Sequence, residues 1–174
     1  MFALLFLLCR TAKEMFDRAS YPMRYEEAVN RSCEAYGVPR SLVYAVIRTE
    51  SRFDPEAVSN VGARGLMQIM EETFDWAKFR KKDDVTQYDQ MFDAETNIDY
   101  GTYILSLLLG EFENDSTAIA AYHGGWGNVS KWLADPQYSD DGVHLKSIPI
   151  NNTDWYVAKV ERAQKRYQAL YGIE

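Results

Sequence analysis

Glu50 is the residue of this chain best placed for acid–base chemistry. Leu42, Val43, Val46 and Ile47 recur at three- and four-residue spacing, which marks one buried face of a helix. Glu50 lies four residues after Val46 and three after Ile47, so it continues that apolar stripe. A carboxyl group drawn into apolar surroundings has its charged form disfavoured and its pKa raised, as a general acid near neutral pH requires. Arg48 and Arg52 fall on other faces of the same helix. The pattern alone also fits a surface glutamate paired with one of these arginines.

The chain downstream of Glu50 supplies a setting for such an acid. Gly62 and Gly65 bracket Ala63 and Arg64, and glycines permit close approach of backbone. Gln68 is the one polar side chain among the apolar Leu66, Met67, Ile69 and Met70. An amide donates and accepts, as the hydroxyl and acetamido groups of a sugar require. A glycine-punctuated turn leading into a core helix explains the glycines and methionines equally well, but it does not explain the whole string.

That string, ESRFDPEAVSNVGARGLMQIMEET, resembles the catalytic motif of the bacterial lytic transglycosylases of the soluble-lytic-transglycosylase type, which carry a goose-lysozyme-like domain. The resemblance continues at NIDYGTYIL (97–105), AIAAYHGGWGNVSKWL (118–133) and IPINNTDWYVAKV (148–160), in the family's order. It spans roughly residues 21–172, and four ordered motifs are far more specific than one short pattern. The resemblance implies that Glu50 is the single catalytic acid. It implies that Ser59, Gln68, Met70, Tyr122 and Tyr156 line the sugar cleft, with Gln68 and Tyr122 binding substrate more than holding the fold.

Three departures stand out. His123 occupies a position where the family usually has asparagine. Asn152 and Asp154 stand where many members have glutamate and arginine. Glu71 replaces a common proline. The neutral Asn152 removes one candidate for a second carboxylate in the cleft.

The activity implied is cleavage of the β-1,4 bond between N-acetylmuramic acid and N-acetylglucosamine in peptidoglycan. Glu50 protonates the glycosidic oxygen, then as a carboxylate takes the proton of the muramic 6-hydroxyl. That hydroxyl closes a 1,6-anhydro ring, and the internal attack gains from proximity. Most glycosidases use two carboxylates. Glu71, Glu72 and Asp75 are the nearest candidates for a partner, and each would have to face the cleft. Two other readings stay open: a lysozyme-like muramidase that uses water, and a non-catalytic glycan-binding module.

Composition is consistent with an enzyme of this kind. A chain of 174 residues with 47% hydrophobic content can bury one core. Twelve tyrosines and four tryptophans suit a carbohydrate cleft, although most such rings pack in cores. The net charge of −7 argues against nucleic acid, which wants a basic face. Two cysteines and two histidines offer neither a disulfide framework nor metal-ligand spacing, so neither metal nor cofactor is expected.

The leading run MFALLFLLC is too short to span a bilayer, which takes about 20 residues. It reads as the tail of a signal-anchor whose upstream part is missing, or as an ordinary N-terminal helix. The resemblance implies an extracytoplasmic, cell-envelope location, which favours the first reading and a membrane anchor in residues 1–20; residues 21–174 are then the catalytic domain.

The fold class expected is mainly α, a lysozyme-like helical domain with a sugar-binding cleft. Helices are expected around Tyr25–Tyr36, Ser41–Arg52 with Pro39 and Ser41 as start signals, Arg64–Met70, Glu71–Arg80, from Asp93 or Thr96 onward, Ser116–Tyr122, Asn128–Leu133 and Thr153–Tyr171. The Asp141-Gly142 pair admits one small hairpin within an otherwise loop-like stretch.

Overall fold

A computed structural model of the chain describes residues 13–149 and 152–174. The apolar run at 1–9, and with it the signal-anchor reading, lies outside the described residues. Helices α1 (Glu26–Tyr36), α2 (Arg40–Glu50), α3 (Glu71–Lys81), α4 (Ala94–Glu111), α5 (Asp115–Gly124), α6 (Trp126–Leu133) and α7 (Thr153–Tyr171) follow in order. A 3₁₀ turn at Tyr88–Phe92 precedes α4. Residues 13–20 are also helical and dock on the end of α7, where Asp17 pairs with Arg166 at 2.6 Å.

The α2 helix is the structural centre. Its residues from Ser41 to Ile47 are all buried, polar Ser41 included. A helix apolar nearly all round must be enclosed by others. Its broadest packing is against α7, and α1 also lies on it. The α4 helix joins α1, α3 and α5, and α5 in turn packs on α6 and α7. Two ends of this frame are set by short polar side chains. Asp93 accepts from the Thr96 amide at 2.9 Å, and Asn114 accepts from the Thr117 amide at 3.0 Å, each satisfying a donor that the helix leaves orphaned.

Three sequence expectations change. Ser41 does not start its helix. Pro39 holds that position, while the Ser41 amide donates to the Glu174 carbonyl at 2.9 Å. Arg64–Met70 is not a helix but a set of turns held by isolated antiparallel bridges, Val58 with Arg64 and Arg64 with Ile69. No strand pairing forms at Asp141-Gly142. Asp141 instead accepts from the Val143 and His144 amides, both at 2.8 Å, and this side-chain turn replaces a hairpin.

Candidate active site

Glu50 is the last residue of α2, at the negative end of the helix macrodipole. The carboxyl group is largely buried where α2 meets α7. Its hydrogen-bond partner is Tyr156, buried on the first turns of α7, whose hydroxyl donates to Glu50 Oε1 at 2.6 Å. Burial pushes the Glu50 pKa up to about 7, against smaller downward pulls from the Tyr156 bond and the Lys159 ammonium. Lys159 donates to the Thr49 carbonyl at 3.3 Å, at the same helix end. No acidic side chain contributes to the shift, so Glu50 stays protonated near neutrality by desolvation rather than by like-charge repulsion.

The chain leaving α2 is locally strained. Arg52 and Phe53 have φ of 56° and 68°, and Gln68 has 49°. Non-glycine residues in this region cost energy and persist where the surroundings over-determine them. The surroundings here are specific. Ser51 Oγ donates to the Leu66 carbonyl at 2.8 Å, tying the helix end to the loop. The buried Asn97 accepts from the Met67 amide at 2.8 Å and donates to the Arg64 and Met91 carbonyls at 3.0 and 2.8 Å. Gly65 sits under that amide at φ +74°, and a Cβ there would lie 2.1 Å from the Met91 carbonyl oxygen.

A groove of about 480 Å³ runs beside this loop, with Gln68, Met70, Trp76, Tyr122, Trp126 and Lys131 on its walls. Met70 and Trp126 are exposed there, which leaves a thioether and an indole available to a ligand. Tyr122 joins groove and acid: it lines the groove, and the Glu50 charge adds to the burial that raises its phenol.

The expected site residues distribute unevenly over this geometry. Gln68, Met70 and Tyr122 line the groove, whereas Tyr156 is buried away from its wall and holds Glu50. Ser59 does not line it. Its hydroxyl accepts from the Ala63 amide at 3.0 Å and staples the turn above the loop. Gln68 and Tyr122 do more for the fold than expected. The Gln68 amide donates to the Ala57 and Gly65 carbonyls at 3.0 and 2.9 Å, and the Tyr122 hydroxyl donates to the Met67 carbonyl at 2.9 Å. Of the carboxylates considered as partners, Glu71, Glu72 and Asp75 are all exposed on α3, and Glu72 alone of the three reaches the groove wall.

Sequence reasoning passed over Trp76, Trp126 and Lys131 in the groove and Asn97 beneath the loop. Asn97 had a readable signal, as a polar residue on the stripe that continues through Gly101, Ile104 and Leu108. The tryptophans had none beyond their ring type. Among the described residues no group of histidine, cysteine and acidic side chains stands together to hold a metal.

The comparisons with known proteins agree with one another. The transglycosylase SLT domain matches residues 27–144. A membrane-bound lytic murein transglycosylase C of Serratia proteamaculans is 33% identical over 167 residues, covering 83% of this chain and 47% of the relative. The Yersinia pestis protein of the same name matches equally well. The chain thus spans about half the length of the curated relatives it matches. Among solved structures, the 70 kDa soluble lytic transglycosylase of Escherichia coli superposes with a TM-score of 0.79 at 29% identity, over 90% of this chain and 26% of that one. An inactive glutamate-to-glutamine mutant of the Pseudomonas aeruginosa enzyme superposes with a TM-score of 0.77 at 30% identity, over 88% and 25%. With the domain matched over most of its described helices, the chain belongs to the transglycosylase SLT domain family.

Proposed function

We propose that residues 21–174 form a catalytic domain that cleaves the β-1,4 bond between N-acetylmuramic acid and N-acetylglucosamine in peptidoglycan, with 1,6-anhydromuramic products. The observation that carries the reading is Glu50, a desolvated carboxyl group with a pKa of about 7, held by one phenol and joined through Tyr122 to a groove on which Trp126 is exposed. A carboxyl group poised near the working pH can give a proton and take one back within a single turnover.

Glu50 protonates the departing glycosidic oxygen. The acetamido group of the muramic residue supports the developing charge at its anomeric carbon. The Glu50 carboxylate, stabilised by the Tyr156 hydroxyl and the Lys159 ammonium, then accepts the proton of the muramic 6-hydroxyl as that oxygen closes the ring. Proton and bond changes balance: one C–O bond breaks, one forms, and the acid is regenerated. A single carboxyl group suffices because the nucleophile is part of the substrate and its entropy cost is already met. That no acidic side chain acts on Glu50 supports this over a muramidase, which needs a second carboxylate to position water.

Cleft roles for Gln68, Met70 and Tyr122 fit their places on the groove wall, and a cell-envelope location follows from the substrate. The word membrane-bound in the names of relatives supports a membrane attachment. No helix among the described residues is long and apolar enough to cross a membrane. The deciding experiment is digestion of purified sacculi followed by mass spectrometry. Anhydromuropeptides are expected; reducing ends would make the protein a muramidase, and intact sacculi would make it a binding module.

A further inference from the structure

His123 stands one residue beyond Tyr122, in the last turn of α5. Its Nδ1 is 3.0 Å from the Thr153 hydroxyl oxygen. Its ring stacks on Tyr156, with centroids 4.4 Å apart and planes inclined by 26°. Thr153 and Tyr156 are both buried on the first turn of α7, and no side chain caps that helix start. An uncapped first turn frays unless tertiary contacts hold it. One imidazole therefore touches the turn at the residue that opens it and at the residue that reaches the acid.

We infer that His123 is a positioning residue for the acid: by pairing with Thr153 and stacking on Tyr156 it fixes the phenol against Glu50. The inference rests on Glu50 being the acid and names what orients it. Stacked rings restrict the tilt of the phenol, and the Thr153 contact restricts the helix turn that carries it. Burial holds His123 below the ordinary histidine range, so the ring is neutral while Glu50 titrates near 7, and it acts through geometry rather than charge. The groups that face Glu50 are Tyr156 and Lys159 of α7 and Tyr122 of α5. Of these, Tyr156 is the one His123 stacks on, and its bond favours the carboxylate. Loosening that bond moves the Glu50 titration to higher pH.

A double-mutant cycle of His123→Ala, Tyr156→Phe and the pair tests this. It is read by kcat and KM on sacculi and by a carboxyl-carbon NMR titration of Glu50 without substrate. His123→Ala is expected to lower kcat roughly tenfold with KM within about twofold. The Glu50 midpoint is expected to rise by roughly half to one pH unit as a charge-assisted bond weakens. In the Tyr156→Phe background, His123→Ala should change neither reading further, because the phenol through which it acts is gone. His123→Asn, which puts a polar amide near Thr153 in place of the ring nitrogen but loses the stack, should fall between wild type and alanine, and it carries the test if His123→Ala fails to fold. An unmoved Glu50 midpoint overturns the inference, as does an equal effect of His123→Ala in both backgrounds. If wild type cleaves no murein, the proposed activity fails, while the titration cycle still decides the role of His123.

Discussion

Two tyrosine–carboxylate pairs in this molecule have nearly the same bond and opposite consequences. Tyr156 donates to Glu50 at 2.6 Å, and Tyr100 donates to Asp83 at 2.7 Å. Burial drives Glu50 up to about 7. Asp83 is held well below the usual carboxylate range, first by the Thr86 hydroxyl. The difference lies in donors and water. Asp83 sits in the loop after α3 and receives four bonds: from the Val85 and Thr86 amides at 2.9 and 3.1 Å, the Thr86 hydroxyl at 2.6 Å, and Tyr100. Glu50 receives one, in a largely desolvated helix junction. A carboxylate with saturated lone pairs is a structural staple, whereas one with a single donor and little water remains able to exchange its proton.

The sharpest break of this contrast is Glu50→Gln. Gln keeps the shape and can accept from Tyr156, but it has no acid proton, so cleavage of sacculi should fall by about 10³-fold or more. The same variant reveals the cost of the buried acid. The folded pKa of about 7 lies above the ordinary 4.5, so between those pH values the native state holds more protons than the unfolded one. Wild-type stability therefore declines as pH rises through that window. Relative to wild type, Glu50→Gln should gain on the order of 2–3 kcal/mol from pH 4.5 to 7.5, read by denaturant melts at each pH. A gain that is flat with pH would mean that Glu50 is solvated like any surface glutamate.

Next in size are the groove residues between the two poles. Gln68→Ala and Tyr122→Phe should each lower kcat/KM by roughly ten- to a hundredfold, since a lost bond at a desolvated site is worth about 1–3 kcal/mol. Both side chains also hold backbone carbonyls, so Tm should fall as well, and more for Gln68, which serves two. Activity per folded molecule separates the roles: normal turnover of the remaining folded Gln68→Ala would make it purely structural.

Asp83→Asn probes the other pole. It should cost about 1–3 kcal/mol of stability at pH 7, because the hydroxyl donors lose a charged acceptor, and leave kcat/KM within about twofold. With a depressed folded pKa, the stabilisation by Asp83 is present above the ordinary 3.8 and lost as pH falls below it. The gap between variant and wild type should therefore narrow as pH falls below about 4; a gap of the same size at pH 5 and pH 2 would show that packing, not charge, is responsible.

The smallest effect expected is that of Asn152→Glu, which introduces the carboxylate that the family resemblance leads one to expect at this position. Asn152 opens α7 at φ 74°, and its carbonyl accepts from the Tyr156 amide at 2.9 Å. A negative charge there should move the alkaline limb of the pH–rate profile upward by a few tenths of a unit, because the position is exposed and screened. The backbone at φ 74° suits asparagine better than glutamate, so a small loss of stability should accompany it. A downward-moved limb would show that position 152 acts on α7 rather than on the acid.

Much of the frame is readable in the amino acids, and for local reasons. The α7 helix spans Thr153–Tyr171 and stops before Gly172, as its periodicity predicts, and Asp93 caps α4 as its residue type predicts. The stripe from Leu42 to Ile47 places Glu50 on the inward face because a 3.6-residue period is a property of consecutive residues. The Arg64–Met70 loop departs from its own pattern for the complementary reason. Leu66, Met67, Ile69 and Met70 look helical in isolation, but Asn97, distant in sequence, takes the Met67 amide and the Arg64 carbonyl out of any helical ladder. Ser41 lost its capping role to a contact with the chain's last residue.

By itself, then, the sequence pointed to Glu50 as the candidate acid and to the helical frame through residue type and short-range spacing, and to the family through the resemblance of four ordered motifs. Only the tertiary structure decided that Tyr156, 106 positions away, is the one phenol bonded to that acid. It also decided that His123 lies against that phenol and that Trp76 and Trp126 share a groove with Gln68. The strength of the acid belongs to the same class. Desolvation is a sum over every group packed around Glu50, and those groups come from helices that adjoin only once the chain has folded.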